Sequence, residues 1–142
     1  MGTVPLQTPE AEARVRALPP TVLIVDDDPD MRLYLRSCLR GLAAPFERVI
    51  EAADGLEALR LIRSVAVSLV ISDVALPGLD GRRLTRAIRD DAALSHVTVL
   101  LISGETVPGD NHADGFLAKP FNTHQLIAAL DRLPARGPTP PP

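Results

Sequence analysis

Short runs of apolar residues alternate with stretches in which apolar positions recur every three or four residues. Val22-Leu23-Ile24-Val25 is apolar throughout and reads as a buried strand. After it, Asp28 can cap a helix and Pro29 suits its first turn, with Met31, Leu35, Cys38 and Leu42 on one face. Residues 48–52 read as a second strand, and 55–63 as a helix with Leu56, Leu59 and Ile62 inward. Residues 69–72 form a third strand, followed by a helix over 82–90 with Leu84, Ala87 and Ile88 inward. Residues 97–102 and 116–118 complete the set of strands. A last helix begins at Asn122 or Thr123 and turns Leu126, Ile127, Leu130 and Leu133 to the core. Strands apolar on both faces, alternating with helices, predict an α/β fold: a doubly wound, five-stranded parallel sheet covered on both sides.

One connection breaks the alternation. Only eleven residues, 104–114, join the fourth strand to the fifth, and their apolar members are Val107 and Ala113. A parallel crossover usually takes a dozen residues or more, and a helix needs an apolar stripe to stay on a sheet. The helix between these strands is therefore expected to be shortened or missing.

Proline marks the ends. Pro134, Pro138, Pro140, Pro141 and Pro142 make 134–142 an extended, disordered tail by composition. The first 20 residues are an extension in which Thr8, Pro9 and Glu10 favour a helix start. Ala11, Val15 and Leu18 share a face there, so a short helix over 9–18 is expected, ended by Pro19-Pro20. The domain proper is 21–133.

Bulk properties narrow the function. The 142 residues suffice for one domain, with 46% apolar and 23% charged residues. A net charge of −3 argues against a nucleic-acid binder that depends on a basic surface. No apolar run reaches the roughly 18 residues of a membrane span. The first residues carry no secretory signal pattern, so a cytoplasmic location is expected. Cys38 is alone, which excludes an intramolecular disulfide, and its helical spacing suits a buried thiol.

The candidate chemistry sits where the apolar runs stop. The first ends at Asp26-Asp27-Asp28, the third at Asp73, the fourth at Ser103 and the fifth at Lys119-Pro120. In an open parallel sheet these endings share the carboxyl edge, where such folds bind ligands. With Asp28 assigned to the helix cap, Asp26, Asp27 and Asp73 remain as crowded carboxylates. A hard divalent cation is their natural counterweight, and Mg²⁺ suits carboxylate, water and phosphate oxygens. Each aspartate taken singly would read as part of a solvated acidic rim. Lys119 can pair with a carboxylate or a phosphoryl oxygen, and Ser103 offers a small hydroxyl. His96, His112 and His124 have no metal spacing and read as surface residues, as does the Arg82, Arg86 and Arg89 face.

Taken together, the chain resembles the receiver domain of bacterial two-component response regulators over about residues 21–133. The resemblance rests on Val25-Asp26-Asp27, the run from Ala53 to Leu59, Ser72-Asp73 with the run from Leu76 to Gly81, Ser103-Gly104 and Lys119-Pro120-Phe121. It implies a flavodoxin-like sheet of order 2-1-3-4-5. It also implies that Asp73 accepts a phosphoryl group and that Asp26, Asp27, Asp73 and the Ala75 backbone carbonyl hold Mg²⁺. Ser103 would contact the phosphoryl oxygens, Lys119 would neutralise charge, and Phe116 would occupy the aromatic switch position. The donor would be a histidine kinase or histidine phosphotransfer protein. With no effector region expected after residue 133, output would be contact with a downstream protein, or phosphate drainage. The protein would be a monomer, or a dimer that avoids the usual fourth-helix face.

Two rivals fit less well. A phosphatase of the haloacid dehalogenase type would use the Asp-x-Asp of residues 26–28 and leave Asp73 without a role. A receiver-like binding module that no longer switches would leave the whole phosphorylation set unexplained.

Overall fold

The computed structural model describes residues 21–42, 46–105 and 112–134. The expected helix over 9–18, much of the 104–114 connection and the tail after Pro134 lie outside the described residues. Strand β1 spans Thr21–Val25 and is followed by helix α1, Pro29–Arg40. Strand β2, Arg48–Ala52, leads into α2, Gly55–Ser64, and β3, Leu69–Asp73, into α3, Gly81–Asp90. A 3-10 turn, Ala92–Leu94, precedes β4, Thr98–Ser103, and then come β5, Gly115–Ala118, and α4, Thr123–Asp131. All strands run parallel in the order β2-β1-β3-β4-β5.

The alternation of side chains along each strand splits the core in two. Leu23, Val25, Val70, Val99 and Leu101 face α2 and α3, meeting Ala58, Ile62, Leu84 and Ile88. Val22, Ile24, Leu69, Ile71, Leu100, Ile102 and Leu117 face α1 and α4, meeting Leu35, Leu39, Leu126 and Ala129. The central strands are therefore apolar at every position because both of their faces are covered.

Helix starts are well specified. Asp28, Asp54, Asp80 and Asn122 are N-caps whose side chains accept a bond from the first turn of α1, α2, α3 and α4. Asn122 and Gln125 complete a reciprocal capping box. A cap of this kind contributes about 1 kcal/mol. Because each of these helices follows a strand, the positive helix ends gather at the carboxyl edge of the sheet.

Several expectations shift in detail. Leu56, expected inward, is 58% exposed, and Gly55, Ala58 and Ile62 are the buried residues of α2. The cause is Gly55, where an added Cβ would collide with the Leu79 carbonyl. The helix presses its glycine against the loop after β3, which turns Leu56 outward. Strand β4 begins at Thr98 rather than Val97, because the Val97 amide still closes the preceding turn on Leu94 O. In α4, Ala129 is buried and Ile127 only half so. Arg89 is not a solvated residue. It donates to Val97 O, His112 O and the buried Asp114 carboxylate.

Candidate functional site

Asp73 closes β3, on the same side of the sheet as Leu69 and Ile71. Beyond it the Val74 amide still bonds Ile102 O, so the strand end is held firmly against β4. The loop then turns back, with the Leu76 and Gly81 amides both donating to Val74 O. Glycine is required at position 81, since a Cβ there would strike the Asp73 carbonyl. The start of α3 is thereby packed directly behind Asp73. Ser72 is fully buried and donates to Asp73 O at 2.9 Å.

Asp26 and Asp27 follow β1, the neighbour of β3. The Asp26 amide continues the ladder to Ala52 O at 3.1 Å. Its Oδ1 accepts from the Asp28 amide at 2.9 Å. Asp26 is 2% exposed and Asp73 8%, whereas Asp27 is exposed. Oxygens of the three carboxylates lie within 4.8 Å of one another. Burial pushes the Asp26 carboxyl above its ordinary value, and the neighbouring Asp73 and Asp27 charges add to the rise. The Asp28 amide and Lys119 act in the opposite sense without cancelling it. Such an all-oxygen, strongly negative donor set suits a hard divalent cation.

Lys119 arrives from the end of β5 and places Nζ 3.2 Å from Asp73 Oδ2. Its peptide bond to Pro120 is cis. Ser103 ends β4, between the two, and is nearly buried. Its hydroxyl bonds locally, donating to Glu105 O and accepting from the Glu105 amide, each at 3.0 Å. Ala75 lies two residues beyond Asp73 and is exposed. Phe116 pairs with Leu101 in register, so it shares a sheet side with Ser103 two pairs further along, and it is 38% exposed.

Of the aspartates, Asp28 stands apart. Its carboxylate accepts the Asp30 amide at 2.9 Å as the cap of α1. An Asp-x-Asp pair acting from β1 would need that carboxylate free.

Two neighbours of the site were not legible as site residues. Arg32 donates through Nη1 to Asp26 O at 2.7 Å and through Nε to Glu51 Oε1 at 2.9 Å. Arg36 takes the other oxygen of Glu51 at 2.7 Å and also donates to Val49 O. Burial alone would raise Glu51, but the bonds from Arg36 and Arg32 overcome it and hold the carboxyl below its usual range. Arg32 follows Asp28 at one helical turn, a spacing that in principle points back toward the strand end. A second feature is a cavity of about 330 Å³ beside Lys119, lined by Met31, Tyr34, Pro120 and Phe121. The Tyr34 and Phe121 rings meet across it, 5.8 Å between centroids.

Comparison with known proteins agrees with this geometry. The profile of the response regulator receiver domain family matches residues 22–131. The chemotaxis response regulator CheY4 of Vibrio cholerae is 32% identical, with 79% of this chain and 96% of that chain aligned at a TM-score of 0.70. A response regulator of Chloroflexus aurantiacus is 35% identical, covering 78% of this chain and 93% of that one at a TM-score of 0.66. The sensor histidine kinase TmoS of Ectopseudomonas mendocina is 32% identical over 122 residues, 80% of this chain. The chain spans only 12% of that kinase's length.

Proposed function

This chain belongs to the response regulator receiver domain family, and on that premise we propose that it accepts a phosphoryl group on Asp73 in an Mg²⁺-dependent reaction that alters its contacts with other proteins. The observation that carries the reading is the convergence of Asp26, Asp27 and Asp73 within 4.8 Å, with Lys119 Nζ 3.2 Å from Asp73.

A carboxylate oxygen of Asp73 attacks the phosphorus of a phosphohistidine or a small acyl phosphate. The new P–O bond forms as the bond to the leaving imidazole or carboxylate breaks, and Asp73 becomes an acyl phosphate. Hydrolysis returns the carboxylate and inorganic phosphate. Asp26, Asp27, Asp73 and the Ala75 carbonyl would hold Mg²⁺, which when bound spreads the charge that builds on the transferring oxygens. Lys119 offsets the remaining negative charge, and the burial of Asp73 strengthens that pairing. The protein thus supplies positioning and electrostatics for its own phosphorylation and dephosphorylation.

Switching follows from Ser103. In the unphosphorylated chain its hydroxyl is spent on Glu105. A phosphoryl dianion on Asp73 is a stronger acceptor, so the hydroxyl turns to it and draws residues 104–105 inward. Phe116 lies next along that side of the sheet and reads the shift sterically, since it has no hydroxyl.

The donor is a histidine kinase or histidine phosphotransfer protein in the cytoplasm. The apolar cavity at Met31, Tyr34, Pro120 and Phe121 opens beside Lys119 and gives such a donor a foothold next to the acceptor. Among the described residues no helix is long and apolar enough to cross a membrane. The downstream contact is a protein surface. Because 104–114 is short and poor in apolar residues, the chain works as a monomer, or pairs away from the fifth-strand face. The test is incubation with acetyl phosphate followed by intact mass. A gain of one phosphoryl group in Mg²⁺ and none in excess chelator supports the reading, and an unchanged mass in both contradicts it.

A further inference from the structure

We propose that Arg32 is a positioning residue for the acidic pocket, setting where Asp27 stands relative to Asp26 and Asp73; the proposal rests on the receiver reading above. The Arg32 guanidinium bonds Glu51 and the Asp26 carbonyl, not the carboxylates of the pocket. It acts on the backbone that carries two of the three carboxylates.

The peptide unit between Asp26 and Asp27 is planar, so the direction of the Asp26 carbonyl fixes the direction in which the chain leaves toward Asp27. That carbonyl accepts a 2.7 Å bond from Arg32 Nη1. Asp26 is held at two further points, its amide by Ala52 O and its Oδ1 by the Asp28 amide. Asp27 is exposed, so the surrounding side chains do little to aim its carboxylate. The peptide plane in front of it does that work, and Arg32 holds the plane.

Arg32 is itself fixed. Its guanidinium presents a rigid fork, and the Nε donor is bound to Glu51 Oε1 at 2.9 Å. Glu51 sits on β2, with its second oxygen bound by Arg36. The pocket backbone is thereby tied to β2 by a charge-assisted chain that runs Glu51, Arg32, Asp26. Glu51 also occupies the Arg32 charge, which keeps the guanidinium from ion-pairing with the aspartates and taking the place of the cation. Mg²⁺ demands near-octahedral oxygen geometry, so a small displacement of Asp27 is enough to weaken binding.

Arg36 provides a matched control. It shares Glu51 with Arg32, but its other contact is Val49 O, on the edge strand and away from the pocket. Arg32→Ala, Arg32→Lys and Arg36→Ala are compared in the full chain by Mg²⁺ titration calorimetry, by thermal unfolding, and by hydrogen exchange of the Asp28 amide, which bonds Asp26 Oδ1, in chelator. Arg32→Ala is expected to raise the Mg²⁺ Kd about tenfold and to speed exchange at the Asp28 amide. Arg32→Lys, which offers an ammonium in place of the fork, should fall between Ala and wild type. Arg36→Ala should lose comparable thermal stability and bind Mg²⁺ as wild type does. Should Arg32→Ala not fold, the Lys variant decides: weaker Mg²⁺ binding at near-wild-type thermal stability supports the proposal. Unchanged Mg²⁺ affinity in a folded Arg32 variant overturns it, as does equal weakening by Arg36→Ala. A wild-type chain that binds no Mg²⁺ would bring down the receiver reading first and this proposal with it.

Discussion

Lys119 Nζ and Asp73 Oδ2 form a 3.2 Å ion pair that joins the end of β5 to the end of β3 across the intervening β4. Ser103 ends that middle strand, so the three residues stand on adjacent strands along one edge. The pair places a cation where negative charge accumulates during transfer to Asp73. Lys119→Ala should therefore slow phosphorylation from acetyl phosphate by about 10²-fold and leave Mg²⁺ binding in place. Time-resolved intact mass checks the rate, and a rate equal to that of the wild type would contradict the role given to Lys119.

Crowding of the carboxylates has a cost in the metal-free chain. Asp26 holds its proton more tightly folded than unfolded, because of burial and then the Asp73 and Asp27 charges. The folded state thus binds more protons from about pH 4 up to the raised value, and stability falls as pH rises through that window. Asp26→Asn should be more stable than wild type at pH 7 in chelator, and the advantage should shrink toward pH 4. Mg²⁺ should stabilise the wild type, by mass action, more than the variant. Urea unfolding at both pH values, with chelator and with Mg²⁺, reads all three effects. A variant less stable than wild type at pH 7 in chelator would show that the crowding is not a net cost.

Among the described residues Arg89 and Asp114 form a further largely buried ion pair, 2.6 Å apart, with the Asp114 side chain 3% exposed. Arg89 ties the end of α3 to Val97, His112 and Asp114, and Asp114 also accepts the Val99 amide. This bolt fastens the entry to β5 where the connection from β4 is short. Arg89→Ala leaves the Asp114 carboxylate buried without its guanidinium and should cost about 3–5 kcal/mol by urea unfolding. The Arg89→Ala, Asp114→Ala double variant should cost less than the sum of the singles. A loss under about 1 kcal/mol for Arg89→Ala would place the pair among ordinary surface bridges.

How much could be read in advance depends on the range of the interaction. The strands and helices were legible because their apolar periodicity and the helix starts at Asp28 and Asn122 are local signals; Asp54 and Asp80 cap α2 and α3 in the same way, without having been singled out by the pattern. The placement of Asp26, Asp73, Ser103 and Lys119 at strand ends was legible from where the apolar runs stop, and the sheet order and the family from the motifs around them. Leu56 was misplaced because its orientation is decided by contact between Gly55 and the Leu79 backbone, 24 positions along the chain. Arg89 read as solvated because Asp114, its partner 25 residues away, meets it only once β4 and β5 are in register. Arg32 and Glu51 escaped notice for the same reason: charged residues on a helix and an edge strand carry no pattern that names a partner 19 residues off.

The most direct measurement is to locate the phosphoryl group. The chain is incubated with acetyl phosphate and Mg²⁺, any aspartyl phosphate is reduced with borohydride to homoserine, and peptide mass spectrometry finds the converted residue. Conversion at position 73, lost in Asp73→Asn, is the predicted result. Conversion at position 26, 27 or 28, or undiminished phosphorylation of Asp73→Asn, would contradict the assignment of Asp73 as the acceptor.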